Sequence, residues 1–237
     1  MLKRFRSSLK LRKRQKELTK KLAGLEQRFP AFDWKPFQAV TRFFSDKSMS
    51  ALEEQAYLYR LACQIPPDAT VIEIGSWIGH STCLIAAALR GPGARCCAID
   101  AFTGTTTIAQ EVSYYRNFLA KVNPTLSQRE LFDLHMARFN LQERVVAIPA
   151  DSARAAALLP PGLPAADLLF IDGGHALDVV RKDIELYVPL VKNGGVVVFH
   201  DFSSECGVPT AVWEEIQRGS FRELIGIHAS LLAFRKA

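Results

Sequence analysis

The sequence predicts an α/β fold in which a mostly parallel sheet of seven strands ends in an antiparallel hairpin. Three observations support this prediction. From residue 70 onward, short apolar segments rich in β-branched residues alternate with segments of helical periodicity. A turn bracketed by glycines joins the first strand to its helix, and two strand-like segments follow one another directly near the end of the chain. This order is typical of parallel strands joined by right-handed helical crossovers.

The positions of the strands follow from apolar runs bounded by glycine, proline or charged residues. The five parallel strands are expected at residues 70–74, 96–100, 144–149, 167–172 and 195–200, and the hairpin at 223–229 and 231–235. More than forty residues separate the second strand from the third, which exceeds an ordinary crossover. We therefore expect a lid at residues 103–123, which include Tyr114, Tyr115 and Arg116, and a crossover helix at 131–141.

The charge distribution divides the chain into two parts. Residues 1–22 carry ten basic side chains and one acid, Glu17, a net charge of +9, so the rest of the chain sums to −3 within the total of +6. We assign residues 1–65 to a basic helical arm and helical extension, and residues 66–237 to the ligand-binding domain. The arm is expected to be a solvated helix, a contact with anionic membrane or nucleic acid, or a contact in a homo-oligomer.

Composition restricts the cellular setting that we expect. The N-terminus is charged but lacks the apolar segment of a secretory signal, and no apolar run approaches the roughly 20 residues of a membrane-spanning helix. The five cysteines have no C-x-x-C spacing, which favours reduced thiols over a disulfide framework or a zinc site. We therefore expect a cytoplasmic protein, with peripheral attachment to the inner face of a membrane as an alternative.

The glycine-bracketed turn indicates the kind of ligand. Gly75 and Gly79 enclose it, and Glu73 lies at the end of the preceding strand. A dinucleotide fingerprint requires a second glycine where this chain has Trp77, and a carboxylate at this turn repels a diphosphate. A ligand with a cationic head fits better. Glu-x-Gly-x-x-x-Gly resembles the first motif of class I methyltransferases that use S-adenosylmethionine (SAM), which carries an ammonium and a sulfonium.

Further contacts to SAM are predicted at the carboxyl ends of the next two strands, because ligands of open α/β sheets bind at that edge. Asp100 is expected to bind the ribose hydroxyls, and Ala101 and Phe102 to lie against adenine. Asp151 is expected to accept from the adenine amino group, while Ser152 caps the next helix. Helix capping alone would also explain Asp151 and Ser152. The complete predicted set for the cofactor is Glu73, Gly75, Ser76, Gly79, Ser81, Asp100, Ala101, Phe102, Asp151, Ser152 and Asp172.

A more specific resemblance comes from the last third of the chain. Four features follow one another in order: Phe-Ile-Asp-Gly-Gly-His at residues 170–175, a helix with Asp183 at its middle, the pair Gly194-Gly195, and Asp201 between a histidine and a phenylalanine. This pattern resembles the small-molecule O-methyltransferases of the methyltransferase-24 type, which include macrocin and other antibiotic-sugar O-methyltransferases. The resemblance covers residues 70–235 and implies a Rossmann-like class I fold and a sugar or phenol-like hydroxyl as the methyl acceptor.

The resemblance also implies a divalent cation held by carboxylates after the fourth and fifth strands. By position these are Asp172 and Asp201, but His200 stands where the relatives have a further acid. The predicted ligand set is therefore Asp172, His200 and Asp201, with Mg²⁺, Mn²⁺, Fe²⁺ or Zn²⁺ as candidates. A hydrogen-bonded cluster of these residues with His175, without a metal, is the alternative.

The mechanism expected from these residues is methyl transfer to an oriented hydroxyl. Asp172 and Asp201 would orient the acceptor, directly or through the cation, and His175 or His200 would act as general base. Three alternatives remain open: an RNA or protein methyltransferase that uses the basic arm, a SAM-fold binding module without catalysis, and a nicotinamide-dependent oxidoreductase. Ile-Asp-Gly-Gly-His argues against the first, and Glu73 with Trp77 argues against the last.

Overall fold

The computed structural model describes residues 2–103, 109–203 and 207–237, with the side chains of residues 2–12, 109–112 and 114 left out. Seven strands form one sheet in the order β3-β2-β1-β4-β5-β7-β6. Their bounds are β1 Thr70–Ile74, β2 Arg95–Asp100, β3 Val145–Pro149, β4 Ala166–Ile171, β5 Val191–Phe199, β6 Phe221–His228 and β7 Leu231–Lys236. Strands β1 to β5 are mutually parallel, whereas β7 pairs antiparallel with both β5 and β6.

Helices cover both faces of this sheet and extend it at the N-terminus. They are α1 Leu2–Arg28, α2 Lys35–Phe43, α3 Leu52–Gln64, α4 His80–Ala88, α5 Ala109–Val122, α6 Gln128–Arg138, α7 Ser152–Ala155, α8 Leu177–Tyr187 and α9 Val208–Gln217. Short 3₁₀ turns follow α7 and α8. None of the helices in the described ranges is long and apolar enough to cross a membrane.

The predicted fold, a mostly parallel seven-stranded sheet with a C-terminal hairpin, is confirmed. Two boundaries differ for local reasons. Strand β5 begins at Val191, ahead of the glycine pair, because Val191 already pairs with Ala166 of β4. The register then shifts before Val196 pairs with Leu168, and Gly194 has a φ of +79° within this irregular stretch. Helix α6 begins at Gln128 instead of residue 131 because Ser127 caps it: its Oγ accepts from the Glu130 amide, and Glu130 Oε2 accepts from the Ser127 amide.

The lid predicted at residues 103–123 corresponds in part to helix α5. Residues 104–108 lie outside the described residues, as does the side chain of Tyr114, whereas Arg116 is exposed. Tyr115 lies with its ring centroid 4.9 Å from that of Trp77 in the glycine turn. Helix α5 therefore contacts the turn that follows β1.

The cysteines were predicted to be reduced thiols. Those in the described residues are free, and Cys206 lies outside the described residues.

One face of the sheet is covered jointly by α4 and the N-terminal extension. Leu22, Trp34, Phe37 and Phe44 are buried in the same apolar cluster as Val71 of strand β1. Leu18 and Leu25 lie one turn on either side of Leu22 and pack against that cluster, which fixes the second half of α1 on the domain. The extension from Leu18 onward therefore shares the core of the sheet, and its position relative to the site is set by apolar packing.

The contact between the ends of β1 and β4 leaves no room for a side chain. Gly75 has a φ of +86°, and a Cβ added there would lie 2.0 Å from the carbonyl oxygen of Asp172. The Asp172 amide donates to the Ile74 carbonyl at 2.8 Å. Glycine is required at this position both for its left-handed backbone and for this close approach.

We predict that Gly75→Ala is far more destabilising than Gly162→Ala. Both glycines have positive φ, but nothing lies within 4 Å of a Cβ at Gly162, so that substitution should cost only the backbone strain of roughly 1–2 kcal/mol. At Gly75 the added methyl must separate β1 from β4. Thermal unfolding followed by circular dichroism measures both effects, and equal changes in melting temperature would contradict the close approach.

Candidate active site

The polar residues singled out from the sequence gather at the carboxyl edge of the sheet. Three residues that are not glycine have positive φ there: Trp77 at 48°, Phe102 at 52° and Asp201 at 57°, just after strands β1, β2 and β5. This conformation is uncommon for such residues and is maintained only where the surroundings fix it. Three of the six such residues in the described ranges therefore lie at this edge, and the other three, Asp68, Asn140 and Ala229, lie in other turns.

Glu73 lies beneath the glycine turn and is fully buried. Its Oε2 accepts from the Thr82 hydroxyl at 2.5 Å, whereas Oε1 and the nearby Ser76 Oγ are buried without a hydrogen-bond partner among the described residues. Burial raises the pKa of Glu73 to about 7, although the hydroxyls of Ser81 and Thr82 partly offset it. A buried carboxylate with an open acceptor position fits a cationic ligand group, so these residues fit the ammonium of SAM.

Asp100 organises the turn after β2. Its Oδ2 accepts from the Trp77 amide at 2.8 Å, and its Oδ1 accepts from the Phe102 amide at 2.7 Å and from Gln128 Nε2 at 2.9 Å. Burial raises the pKa of Asp100, and these hydrogen bonds only partly offset that rise. Asp100 therefore ties the two ligand-side turns together, while the predicted contact with ribose stays a prediction.

Gln128 was not identified from the sequence. It is the first residue of α6, is buried, and also donates to the Trp77 carbonyl at 3.2 Å. A glutamine after a capping serine carries no sequence signal for a site, because its role depends on where α6 meets the turn. Of the neighbouring predicted residues, Ala101 is exposed and Phe102 packs edge-on against Phe132 at 5.1 Å.

Asp151 and Ser152 follow β3 as predicted. Asp151 Oδ1 accepts from the Arg154 amide at 3.0 Å and so caps α7. The Ser152 carbonyl accepts from the Tyr187 hydroxyl of α8 at 2.6 Å. The capping interpretation accounts for the contact of Asp151, and the adenine contact stays a prediction. Of the other predicted cofactor residues, Gly79 has a φ of +88° at the start of α4, and Ser81 lies in the first turn of that helix.

The ends of β4 and β5 bring together the four residues predicted for catalysis and metal binding. His200 Nδ1 lies 3.0 Å from Asp172 Oδ1 and 3.0 Å from Asp201 Oδ2. His175 Nε2 lies 3.0 Å from the same Asp201 oxygen. All four side chains are at most 28% exposed. The sequence motifs at residues 170–175 and 199–202 therefore form a single charged cluster.

The charges in this cluster are mutually stabilised. Burial disfavours a charged imidazole at His200, but the carboxylates of Asp172, Asp201 and Glu54 outweigh this and raise its pKa well above the usual range. Burial likewise disfavours charge on Asp201, yet hydrogen bonds from His175 and His200 lower its pKa overall. At neutral pH we therefore assign His200 as an imidazolium and Asp201 as a carboxylate.

Glu54 joins the cluster from the N-terminal extension, and it was not identified from the sequence. Its Oε2 lies 3.5 Å from His200 Nε2. Burial alone would raise the pKa of Glu54, but hydrogen bonds from His200, Ser230 and the Ala51 amide lower it to about 2. An acid in the first turn of a helix is ordinarily read as a cap. Its role in the site depends on the packing of α3 against the sheet.

Asp172, His175 and Asp201 are the residues that fit a divalent cation. Each offers one ligand atom, and these atoms all lie within 4.8 Å of one another. This set differs from the predicted one in its imidazole. His200 Nδ1 faces both carboxylates as a hydrogen-bond donor, so it does not present a lone pair to an ion between them.

Comparisons with known proteins agree with this arrangement. A family model described as a methyltransferase domain matches residues 72–202, which is more than half of the chain. The O-methyltransferase NovP superposes with a TM-score of 0.61 at 18% identity, over 81% of this chain and 82% of that one. TomG from Streptomyces achromogenes, an O-methyltransferase solved with SAM, gives 0.57 at 20% identity over 84% and 86%.

A TDP-rhamnose 3′-O-methyltransferase of calicheamicin biosynthesis gives a TM-score of 0.51 at 19% identity, over 93% of both chains. These identities establish a shared fold, and the family match covers the glycine turn together with both carboxylates at the ends of β4 and β5. The chain therefore belongs to the class I SAM-dependent methyltransferases, in the methyltransferase-24 family.

Proposed function

We propose that this protein transfers a methyl group from SAM to a hydroxyl oxygen of a small molecule. The observation that carries the proposal is the cluster of Asp172, His175, His200 and Asp201 beside the turn that encloses Glu73. SAM supplies an electrophilic methyl group, and the acceptor hydroxyl must lose its proton as the new carbon–oxygen bond forms. The site must therefore orient a hydroxyl and accept one proton.

His175 is the residue that we assign as general base. Its Nε2 lies 3.0 Å from Asp201 Oδ2, and this hydrogen bond favours the tautomer that has its proton on Nε2 and a lone pair on Nδ1. An imidazole oriented by a carboxylate is a recurring arrangement for proton abstraction. The acceptor proton would pass to Nδ1, and Asp201 would stabilise the resulting imidazolium.

His200, the other base considered from the sequence, is better suited to a fixed positive charge. Pairing with Asp172 and Asp201 outweighs burial and holds the pKa of His200 well above neutrality. The resulting imidazolium does not accept a second proton. It holds these carboxylates in place through the two contacts of 3.0 Å. In this assignment Asp172 accepts a hydrogen bond from the acceptor hydroxyl and orients it toward the methyl group.

A divalent cation would be held by Asp172, His175 and Asp201. When bound, it would polarise an acceptor oxygen and lower the pKa of that hydroxyl. A nitrogen ligand in the set favours Mn²⁺, Fe²⁺ or Zn²⁺ over Mg²⁺. In that case His175 is a ligand instead of the general base, and Asp172 and Asp201 both keep their contacts to His200.

For the acceptor we propose a sugar or phenol-like hydroxyl. Two named neighbours act in antibiotic biosynthesis, on a TDP-linked rhamnose in one case and in tomaymycin synthesis in the other. Trp77 and Tyr115 lie beside the glycine turn with ring centroids 4.9 Å apart, and aromatic rings of this kind pack well against a flat or cyclic acceptor.

We predict that SAM binding releases a proton from Glu73. The pKa of Glu73 is about 7 in the free protein, so about half of the molecules carry this proton at pH 7, and a nearby ammonium favours the charged form. Isothermal titration at pH 7 in buffers of different ionisation enthalpy should show release of up to about half a proton per SAM.

Glu73→Gln should abolish the buffer dependence and weaken binding at least tenfold, because it removes the buried charge. Glu53→Gln is the matched control, since Glu53 is an exposed acid on α3, and it should retain both the affinity and the proton release. Proton release that persists in Glu73→Gln would show that Glu73 is not the group linked to SAM binding.

We predict that Asp172→Asn and His175→Ala separate chemistry from SAM binding. Methyl transfer is measured with radiolabelled SAM against a panel of catechols, flavonoids and nucleotide-linked sugars. His175→Ala should lower kcat by about 10²–10⁴, the usual contribution of a general base. Asp172→Asn should lower it at least tenfold, and the dissociation constant of S-adenosylhomocysteine should change less than kcat in both.

Two results would contradict these assignments. If the wild-type protein binds SAM but methylates no member of the panel, hydroxyl methylation of these classes is excluded. If a panel member is methylated and His175→Ala retains wild-type kcat, His175 is not the base. Adding EDTA to the wild-type assay tests the cation separately, because only a metal-assisted reaction loses rate and recovers it with Mn²⁺.

A further inference from the structure

We propose that Glu54, from the N-terminal extension, is a positioning residue of the methyl-transfer site. It holds the imidazole of His200 from the side opposite Asp172 and Asp201. The inference rests on the proposed function, and it adds a residue outside the matched range 72–202. It also explains why the first turn of a helix that precedes the sheet lies beside the imidazole at the end of β5.

The carboxylate of Glu54 is fully engaged. Oε1 accepts from the amide of Ser230 at 2.8 Å and from its hydroxyl at 2.5 Å, and Oε2 accepts from the Ala51 amide at 2.8 Å. Oε2 also lies 3.5 Å from His200 Nε2. Glu54 therefore connects the start of α3, the turn between β6 and β7, and the imidazole at the end of β5.

His200 is consequently held at both ring nitrogens. Nδ1 faces Asp172 and Asp201 at 3.0 Å, while Nε2 faces Glu54 and lies 3.4 Å from Ser230 Oγ. A ring with carboxylates on both sides has one favoured plane, because turning it breaks charge-assisted contacts at each end. In that plane His200 fixes the positions of Asp172 and Asp201 through its two contacts of 3.0 Å.

Helix capping does not account for the position of Glu54. Glu130 performs the same cap at the start of α6, where its Oε2 accepts from the Ser127 amide at 2.8 Å, and it does so while exposed to solvent. Glu54 is only 6% exposed. Burying a carboxylate is costly unless it is paired, and a cap does not require that burial, whereas contact with His200 does.

The first turn of α3 is held rigidly enough to position a ring. Gln55 is buried next to Glu54, its Nε2 donates to Ser48 Oγ at 3.0 Å and to the Ser50 carbonyl at 2.9 Å, and its Oε1 accepts from Thr41 at 3.3 Å. Ser50, Glu54 and Gln55 line one wall of a cavity of about 20 Å³. The opposite wall includes Asp172, His200 and Ser81 of the proposed site.

The test compares Glu54→Gln with Glu130→Gln. Glutamine preserves the shape of glutamate and still caps a helix, so each variant removes one negative charge at one cap. Glu54→Gln should lower kcat for a methylated panel member by about 10- to 100-fold, with KM for the acceptor and the dissociation constant of S-adenosylhomocysteine within threefold of wild type. Glu130→Gln should leave kcat unchanged.

An acceptor-independent measurement accompanies the kinetics. In protein labelled with ¹⁵N-histidine, the side-chain signals of His200, assigned from a His200→Asn variant, should move and broaden in Glu54→Gln and stay unchanged in Glu130→Gln. His200 signals identical to wild type in Glu54→Gln would overturn the proposal even if no acceptor is found. A methylated acceptor with equal kcat in wild type and Glu54→Gln would overturn it while leaving the proposed methyl transfer intact.

Discussion

The close approach of two strand ends is the constraint on which the site depends. Because Gly75 lies against the Asp172 carbonyl, the turn that follows Glu73 and the strand end that carries Asp172 occupy adjacent space. The hydrogen bonds from the Asp172 amide to Ile74 and from the Gly75 amide to Ile99 hold β4, β1 and β2 in register at that point. The proposed binding carboxylate and the proposed catalytic carboxylate are therefore held next to each other by the backbone.

The structure treats its buried acids in two opposite ways. Glu73 is buried and has no cationic partner among the described residues, so burial dominates and its pKa rises to about 7. Asp201 and Glu54 are also buried, but pairing with imidazoles and hydrogen bonds outweighs burial and lowers their pKa values. The first arrangement leaves a place for a positive ligand group, whereas the second builds a stable internal charge network. In the proposed mechanism, binding and chemistry therefore belong to different carboxylates.

The N-terminal extension has two distinct parts in this design. The second half of α1 is fixed to the domain by Leu18, Leu22 and Leu25, and α3 contributes Glu54 to the polar cluster. The basic face of α1 faces solvent where it is described, because Lys13, Lys16 and Lys20 are exposed. The extension therefore contributes to the core and to the cluster through α3, while the lysines of α1 whose side chains are described lie at the surface.

Much of this organisation follows from the sequence alone. Alternation of apolar strands and helices determined the sheet, because period and composition are local properties. The order of motifs determined that Glu73, Asp100, Asp172 and Asp201 would share one edge, because parallel strands present their carboxyl ends together. The motif at residues 170–175 allowed the family to be predicted from the sequence, since its residues are contiguous.

Tertiary structure alone decided the partners of these residues. Glu54 and Gln128 lie far along the chain from His200 and Asp100, and only the docking of α3 and α6 brings them within contact distance. The roles of His175 and His200 also depend on geometry, because both are equally basic in isolation and differ in the carboxylates that the described residues place beside each ring. The sequence specifies which chemical groups reach the edge of the sheet. Packing specifies which of them are charged there, because the charge of a buried group depends on neighbours within a few ångströms.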